Sequence, residues 1–108
     1  MGVAAQFGIK RAIVNLAAIG ANTVVAAVAG KRIVVHSLAI ISNSAVDVTV
    51  KSAATDISGM MQFGDPGGFV LSHCEDGYLS TARGEALVFS TAGLANSAGG
   101  FLTYTEQD

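Results

Sequence analysis

The chain lacks several residue types on which common classes of protein depend. Its 108 residues include one cysteine, one proline and no tryptophan. A single cysteine excludes a disulfide within the chain. Carbohydrate sites usually present exposed aromatic rings, so the absence of tryptophan and the presence of only two tyrosines argue against a sugar-binding role.

Charge is also scarce. Only 13% of the residues are charged, against about 25% in an ordinary soluble domain, while 51% are hydrophobic. The formal net charge of −2 provides no electrostatic attraction for nucleic acid or for an anionic membrane surface. A chain of this size forms one small domain with a large surface. Because there is too little charge to cover that surface, we expect part of the apolar surface to contact another protein.

Targeting segments and membrane helices are not predicted. No apolar run reaches the roughly 18 residues that a membrane helix needs. The opening "MGVAAQFGIKR" carries its positive charges after the apolar residues, unlike a secretory signal. Gln6 stands where a myristoylation motif prefers Ser or Thr. The sequence therefore predicts a soluble chain without a targeting signal.

Glycine is abundant, with 13 residues, and it separates short stretches rich in Val, Ile, Thr and Phe. In "AVDVTVKS" the valines at 46, 48 and 50 alternate with polar residues, which is typical of a half-buried antiparallel strand. The other candidate strands lie at 11–17, 22–28, 30–42, 59–63, 68–73, 77–81, 85–91 and 99–106. Their spacing predicts an all-β fold, a single antiparallel β-sandwich of about eight short strands with a jelly-roll-like arrangement.

Domain organisation follows from the same pattern. Residues 1–10 lack a clear turn signal and are predicted to form an extended N-terminal arm, while 11–108 form the sandwich. A helix is the main alternative over 15–30, which is rich in alanine. Gly20, Asn22 and the β-branched run at 23–25 interrupt it, so the sequence favours strands there.

The stretch "GKRIVVHSLAIIS" is apolar on both faces if it is a strand. Ile33, Val35, Ala39 and Ile41 share one face with Ser37, and Val34, Leu38 and Ile40 share the other with His36. We expect one face in the core and the other against a sister subunit or the opposite sheet. His36 is then an interior or interface histidine, with a proton switch as the alternative.

One segment, "GDPGGFVLSHCEDG", gathers reactive residue types. Adjacent residues of a strand point to opposite faces, so His73 and Cys74 are not expected to bind one metal ion. Pairing Cys74 with His36, or Ser72 with His73, leaves a nucleophile without a specified third group or oxyanion hole. The segment is interpreted as turns around a strand end. No catalytic residue, cofactor or metal site is predicted, and the chain is not expected to be an enzyme.

Several stretches, in their order and spacing, resemble a family of small virion proteins of tailed bacteriophages. They are "NTVVAAVAGKRIVV", "AVDVTVKS", "ISG", "GGFVLS", "DGYLSTARGEAL" and the closing "GGFLTY". The resemblance covers roughly residues 22–105 and includes no catalytic motif. In one departure from the family pattern, "GFVL" is followed by "SHCEDG" rather than by a turn that contains proline.

The resemblance implies a head decoration (cement) protein, which binds the outside of the capsid as a homotrimer and stabilises the shell. The partner would be the major capsid protein. The alternative is a tail, head-fibre or receptor/carbohydrate-binding module of the virion. Because the arm is apolar and two dibasic pairs begin strands, the residues expected to contact the capsid or a sister subunit are Val3, Phe7, Ile9, Lys10, Arg11, Lys31, Arg32 and His36.

Overall fold

A computed structural model of the chain describes residues 8–64, 66–93 and 98–108. Within these ranges the chain forms strands and no helix, which confirms the all-β prediction. The strands are β1 (Lys10–Asn15), β2 (Gly20–Val25), β3 (Arg32–Ser42), β4 (Val46–Ser52), β5 (Thr55–Asp56), β6 (Met61–Phe63), β7 (Gly67–Leu71), β8 (Leu79–Ser80), β9 (Leu87–Gly93) and β10 (Ala98–Gln107).

The strands form two antiparallel sheets in a sandwich-like arrangement. The first sheet has the order β1-β10-β3-β7, with β8 also paired to β3. The second has the order β2-β9-β4-β5, with β6 also paired to β4. The chain changes sheet at most of its connections, so strands that are neighbours in a sheet are mostly distant in sequence.

The core lies between the sheets and follows from strand alternation. On β4 the three valines at 46, 48 and 50 are buried, while the polar residues between them are only partly covered. Leu87 and Phe89 of β9 are buried on the same side. The first sheet contributes a matching set of buried side chains: Val14, Leu16, Ile33, Val35, Leu38, Ile40 and Leu102. Burial of these apolar surfaces is the main source of the fold's stability.

The predicted alternation along β3 is wrong, because the strand contains a bulge. Thr103 of β10 pairs with Ser37, but the next residue, Tyr104, pairs with Val35. His36 is therefore the extra residue, and the alternation of inward and outward side chains shifts by one position there. The buried core positions are Ile33 and Val35 before the bulge and Leu38 and Ile40 after it.

Other boundaries differ modestly from the prediction. The segment 15–30 forms the end of β1 and all of β2 rather than a helix, but β2 ends at Val25, before the alanines. The two-residue β5 was not predicted. Of the predicted N-terminal arm, residues 1–7 lie outside the described ranges, and Lys10 is the first residue of β1.

Candidate interaction surfaces

His36 is an interior residue with both ring nitrogens occupied. Its Nδ1 lies 2.8 Å from the carbonyl oxygen of Cys74, and its Nε2 lies 2.8 Å from Oγ1 of Thr105. A carbonyl only accepts, so Nδ1 donates to it, and in a neutral ring Nε2 then accepts from the threonine hydroxyl. The exposed His73 stacks on the ring, with 5.6 Å between centroids. His36 is thus buried inside its own chain rather than presented to a partner.

The segment of reactive residue types covers the first half of β3. The amide of Cys74 donates to the carbonyl of His36 at 2.9 Å, and that of Tyr78 donates to Val35 at 2.7 Å. A turn closes between Cys74 and Gly77, where the glycine has a φ of +85°. A side chain at this glycine would also collide with Val34. The segment therefore pairs with the edge of β3, and its Gly77 and His73 also cover the side chains of Val34 and His36.

No group of three or more potential metal-ligating side chains occurs within residues 8–64, 66–93 and 98–108. Asp65, part of the predicted reactive segment, lies outside these ranges.

Among the described residues, no helix is long and apolar enough to cross a membrane.

Four of the predicted partner-binding residues gather at one end of the first sheet. Lys10 and Arg11 begin β1, and Lys31 and Arg32 lead into β3. Two of these cations are paired with carboxylates near the end of β10. Nζ of Lys10 lies 3.1 Å from Glu106, and Nζ of Lys31 lies 2.5 Å from Asp108. Ile9 is half-buried next to this end, whereas Val3 and Phe7 lie outside the described residues.

The carboxyl of Asp108, at this end of the molecule, has a lowered pKa. A hydrogen bond from Lys31 and the charge of that residue lower the pKa of the Asp108 carboxyl below its usual value, with a smaller contribution from Arg83. Both members of the pair are in contact with solvent, so the pair contributes little to the free energy of folding.

The strand β1 forms an edge of the first sheet. It pairs with β10 from Lys10 opposite Tyr104 to Asn15 opposite Gly99. Within the part of the chain that the structure describes, no strand pairs with its other side. An edge of this kind presents free N–H and C=O groups that an added strand can use.

An apolar row crosses the outer face of the first sheet. Ile13 pairs with Phe101, Phe101 with Ala39, and Ala39 with Val70, so one residue from each of four strands stands in line. Ile13 is 79% exposed, Val70 71% and Phe101 49%. We call these four residues the apolar row. A contiguous exposed apolar patch of this kind marks an interaction surface.

A second line of residues lies beside the apolar row. Asn15 pairs with Gly99, Gly99 with Ile41, and Ile41 with Gly68. Ile41 is 66% exposed. We call these four residues the glycine row. An open groove lined by Ile41, Val70 and residues 66–69 continues this surface to the edge at β7.

The second sheet presents a different outer face. Thr49 of β4 lies opposite Ser90 of β9, and Asp47 lies opposite Ala92. Lys51 is paired with Asp56 at 3.4 Å. The side chains on the outer face of this sheet are therefore small or polar. Apart from residues next to the strand ends, the large exposed apolar side chains of the described residues belong to the first sheet.

The two dibasic pairs lie at strand starts, as the sequence predicts, but the sequence does not indicate that the residues of the apolar row lie together. Phe101 is exposed and the adjacent Leu102 is buried, as the alternation of a strand requires. Ile13 and Val70 carried no signal of their own. The row exists only because of the pairing register, which requires the order of the strands.

Comparison of the chain with models of protein families, with curated proteins and with solved structures finds no match.

Proposed function

We propose that this chain is a structural protein of a tailed-bacteriophage virion, a decoration protein that binds the outside of the capsid as a trimer and stabilises the shell. The observation that carries the proposal is the apolar row on the outer face of the first sheet. Such a face favours contact with protein. A chain with only 13% charged residues is expected to have part of its surface covered by other proteins of an assembly. The virion context rests on the resemblance of residues 22–105 to small phage virion proteins.

The strand order supports a jelly-roll arrangement of the sandwich. The four-strand paths β1-β10-β3-β7 and β2-β9-β4-β5 are each joined mainly by connections that cross to the other sheet. Two such sheets, built from interleaved antiparallel strands, are the pattern of jelly rolls, which occur widely in viral capsid proteins. Because one fold hosts many functions, this agreement supports the proposal without determining it.

The proposed contact with the shell lies at the basic end and along β1. Lys10 and Arg11 stand at the start of an edge strand, directly after the residues predicted to form the arm. A segment that adds to this edge would gain backbone hydrogen bonds, and the neighbouring cations would add ionic contacts. Repetition over a capsid lattice multiplies modest individual contacts into firm attachment.

Copy number in purified particles tests the function directly. Quantitative mass spectrometry should find the chain in hundreds of copies per particle, in a fixed ratio to the major capsid protein. A few copies per particle would instead assign the chain to a tail, a head fibre or a receptor-binding module. Absence from the particle would overturn the virion proposal.

The contribution of the arm can be tested separately. Deleting residues 2–9 should abolish rebinding of the purified protein to particles that lack it, while leaving the unfolding transition unchanged. Met60→Ser is a matched control, because Met60 is 59% exposed just before β6 of the other sheet. Unchanged occupancy of the truncated protein would rule out a role for the arm.

A further inference from the structure

The apolar row and the glycine row form one uncharged surface that no described side chain covers. The outer side of β3 is covered by the 72–80 segment around Val34 and His36, but this cover ends before Ala39 and Ile41. The proposed function requires that protein covers this face. It leaves open which protein does so.

The order of side-chain sizes along the two rows indicates the partner. From β1 to β7 the apolar row reads Ile, Phe, Ala, Val, and the glycine row reads Asn, Gly, Ile, Gly. In each row the large side chain of one central strand stands beside a small residue of the other central strand. Phe101 lies beside Ala39, and Ile41 lies beside Gly99. Among the described residues, a Cβ atom added to Gly99 would touch only the Val14 carbonyl, at 3.2 Å, and no described side chain stands above this glycine.

We propose that two copies of this chain pair face to face through these rows, about a two-fold axis that runs parallel to the strands between β10 and β3. Rotation about such an axis reverses the order of the strands and keeps each row at its own level. Phe101 then lies over Ala39 of the partner subunit, and Ile41 lies over the partner's Gly99. At the rims, Ile13 lies over Val70 of the partner subunit. Near the axis each large side chain meets a small one, at the rims two apolar side chains meet, and no charge faces a like charge.

One alternative symmetric arrangement fits less well. A two-fold axis along the apolar row would place each residue over its own copy, so that two phenylalanines collide while two alanines leave a gap. Close packing of the kind found in protein interiors excludes this combination. Between two single chains, the proposed axis also gives a closed pair, which does not grow into a fibre.

The size of the surface predicts a weak association. The outward positions of the four strands number about a dozen per copy, against roughly 20–30 in a standard interface. Packed sheets cross at about 30°, so the contacts nearest the axis, those of Phe101 and Ile41, contribute most. We expect a dissociation constant on the order of 10–1000 μM. The proposed pairing depends on the proposed function in one respect only, namely that protein covers this face. The unit that pairs is either one chain or the proposed trimer.

Sedimentation equilibrium over a range of protein concentrations tests the pairing. The mass of the unit, whether chain or trimer, should double as the concentration approaches about 1 mM. Phe101→Ala should weaken the doubling by about thirty-fold or more, as expected for a central aromatic contact. Ile13→Lys should also weaken it, and it leaves the fold intact because Ile13 is the most exposed large apolar residue.

An exchange of the two central side chains gives the sharper test. Ala39→Phe places a ring where Phe101 of the partner subunit lies, so it should abolish doubling. Ala39 faces outward, so the variant should keep the unfolding transition of the native protein. Combining Ala39→Phe with Phe101→Ala restores a large residue over a small one, and doubling should return.

Three outcomes would overturn the inference. They are a mass that stays constant up to about 1 mM, a doubling that Ile13→Lys and Phe101→Ala do not change, and a doubling that Ala39→Phe strengthens. If self-association is absent while Ile13→Lys lowers occupancy on particles, the face belongs to the shell contact instead. Failure of the virion proposal would be seen separately, in the copy number.

Discussion

A single methyl group at Gly100 is expected to disrupt the two central strands of the first sheet. Gly100 of β10 pairs with Ile40 of β3. A Cβ atom at this position would lie 2.7 Å from the carbonyl carbon of Ala39 and 3.0 Å from Cα of Ile40, and it would overlap the carbonyl oxygen of Ala39. All of these atoms belong to the backbone, so no side-chain rotation can relieve the overlap.

The expected cost of Gly100→Ala is about 3 kcal/mol, the upper part of the range for overpacking, because the strands themselves must separate. For a domain of this size, that change lowers the Tm by roughly 12–24 °C. The free energy of unfolding should be measured by urea denaturation at low protein concentration, with an unchanged m-value.

The neighbouring Gly99→Ala is a matched control. Because the position faces outward, the one atom of the described residues that its added Cβ would approach is the carbonyl oxygen of Val14, at 3.2 Å. We expect a change within about 1 kcal/mol, which is typical of a surface substitution. If Gly100→Ala costs no more than Gly99→Ala, then the register of β10 against β3 is wrong, and with it the alignment of the apolar row.

Three further predictions concern the core, a buried hydrogen bond and an ion pair. Phe89→Ala should lower the free energy of unfolding by about 3–5 kcal/mol, because Phe89 is 1% exposed, and a loss below about 1 kcal/mol in urea denaturation would contradict its central place. Thr81→Val should cost about 1–3 kcal/mol, since the amide of Ile33 donates to Oγ1 of Thr81 at 2.9 Å, whereas Thr81→Ser retains the bond and should be nearly neutral; equal losses in both variants would disprove its role. Lys31→Gln should raise the pKa of Asp108 toward its usual value in an NMR titration, and an unchanged pKa would show that the pair does not form in solution. Because folding lowers this pKa, the pair's contribution is present above the usual carboxyl range and is lost as the pH falls through the folded value.

The sequence predicts strands best where one face is buried and the other is polar. On β4, valines alternate with Asp47, Thr49 and Lys51, so the pattern identifies both the strand and its inward face. The same reasoning separates Phe101 from Leu102 on β10. Strong alternation reflects a single buried face, which is a local property of the chain.

The faces of β3 could not be predicted in the same way. Apolar residues occupy both faces of this strand, and its two central polar residues, His36 and Ser37, are adjacent and so point to opposite faces in a regular strand; they do not show which face is inward or that a bulge lies there. The bulge depends on the pairing of Thr103 and Tyr104 in a strand more than 60 residues away. The cover over Val34 likewise depends on the turn at Gly77. Such features arise from contacts between distant segments, which periodicity does not report.

The candidate surface, too, could be predicted from the sequence only in part. The scarcity of charge predicts that some apolar surface meets protein, but it does not say where. The apolar row requires that β10 lie between β1 and β3, so that Ile13, Phe101 and Ala39 stand in line. Strand order in a sandwich is set by packing of the whole chain, and for that reason the row emerges only from the structure.

The most direct test of the account is a cryo-EM map of the virion that carries this chain. The map should show density for the two-sheet fold on the outer capsid surface, repeated at the three-fold positions of the lattice, with the start of β1 directed at the shell. Density for this fold only at the tail or at a fibre, or none on the particle, would contradict it.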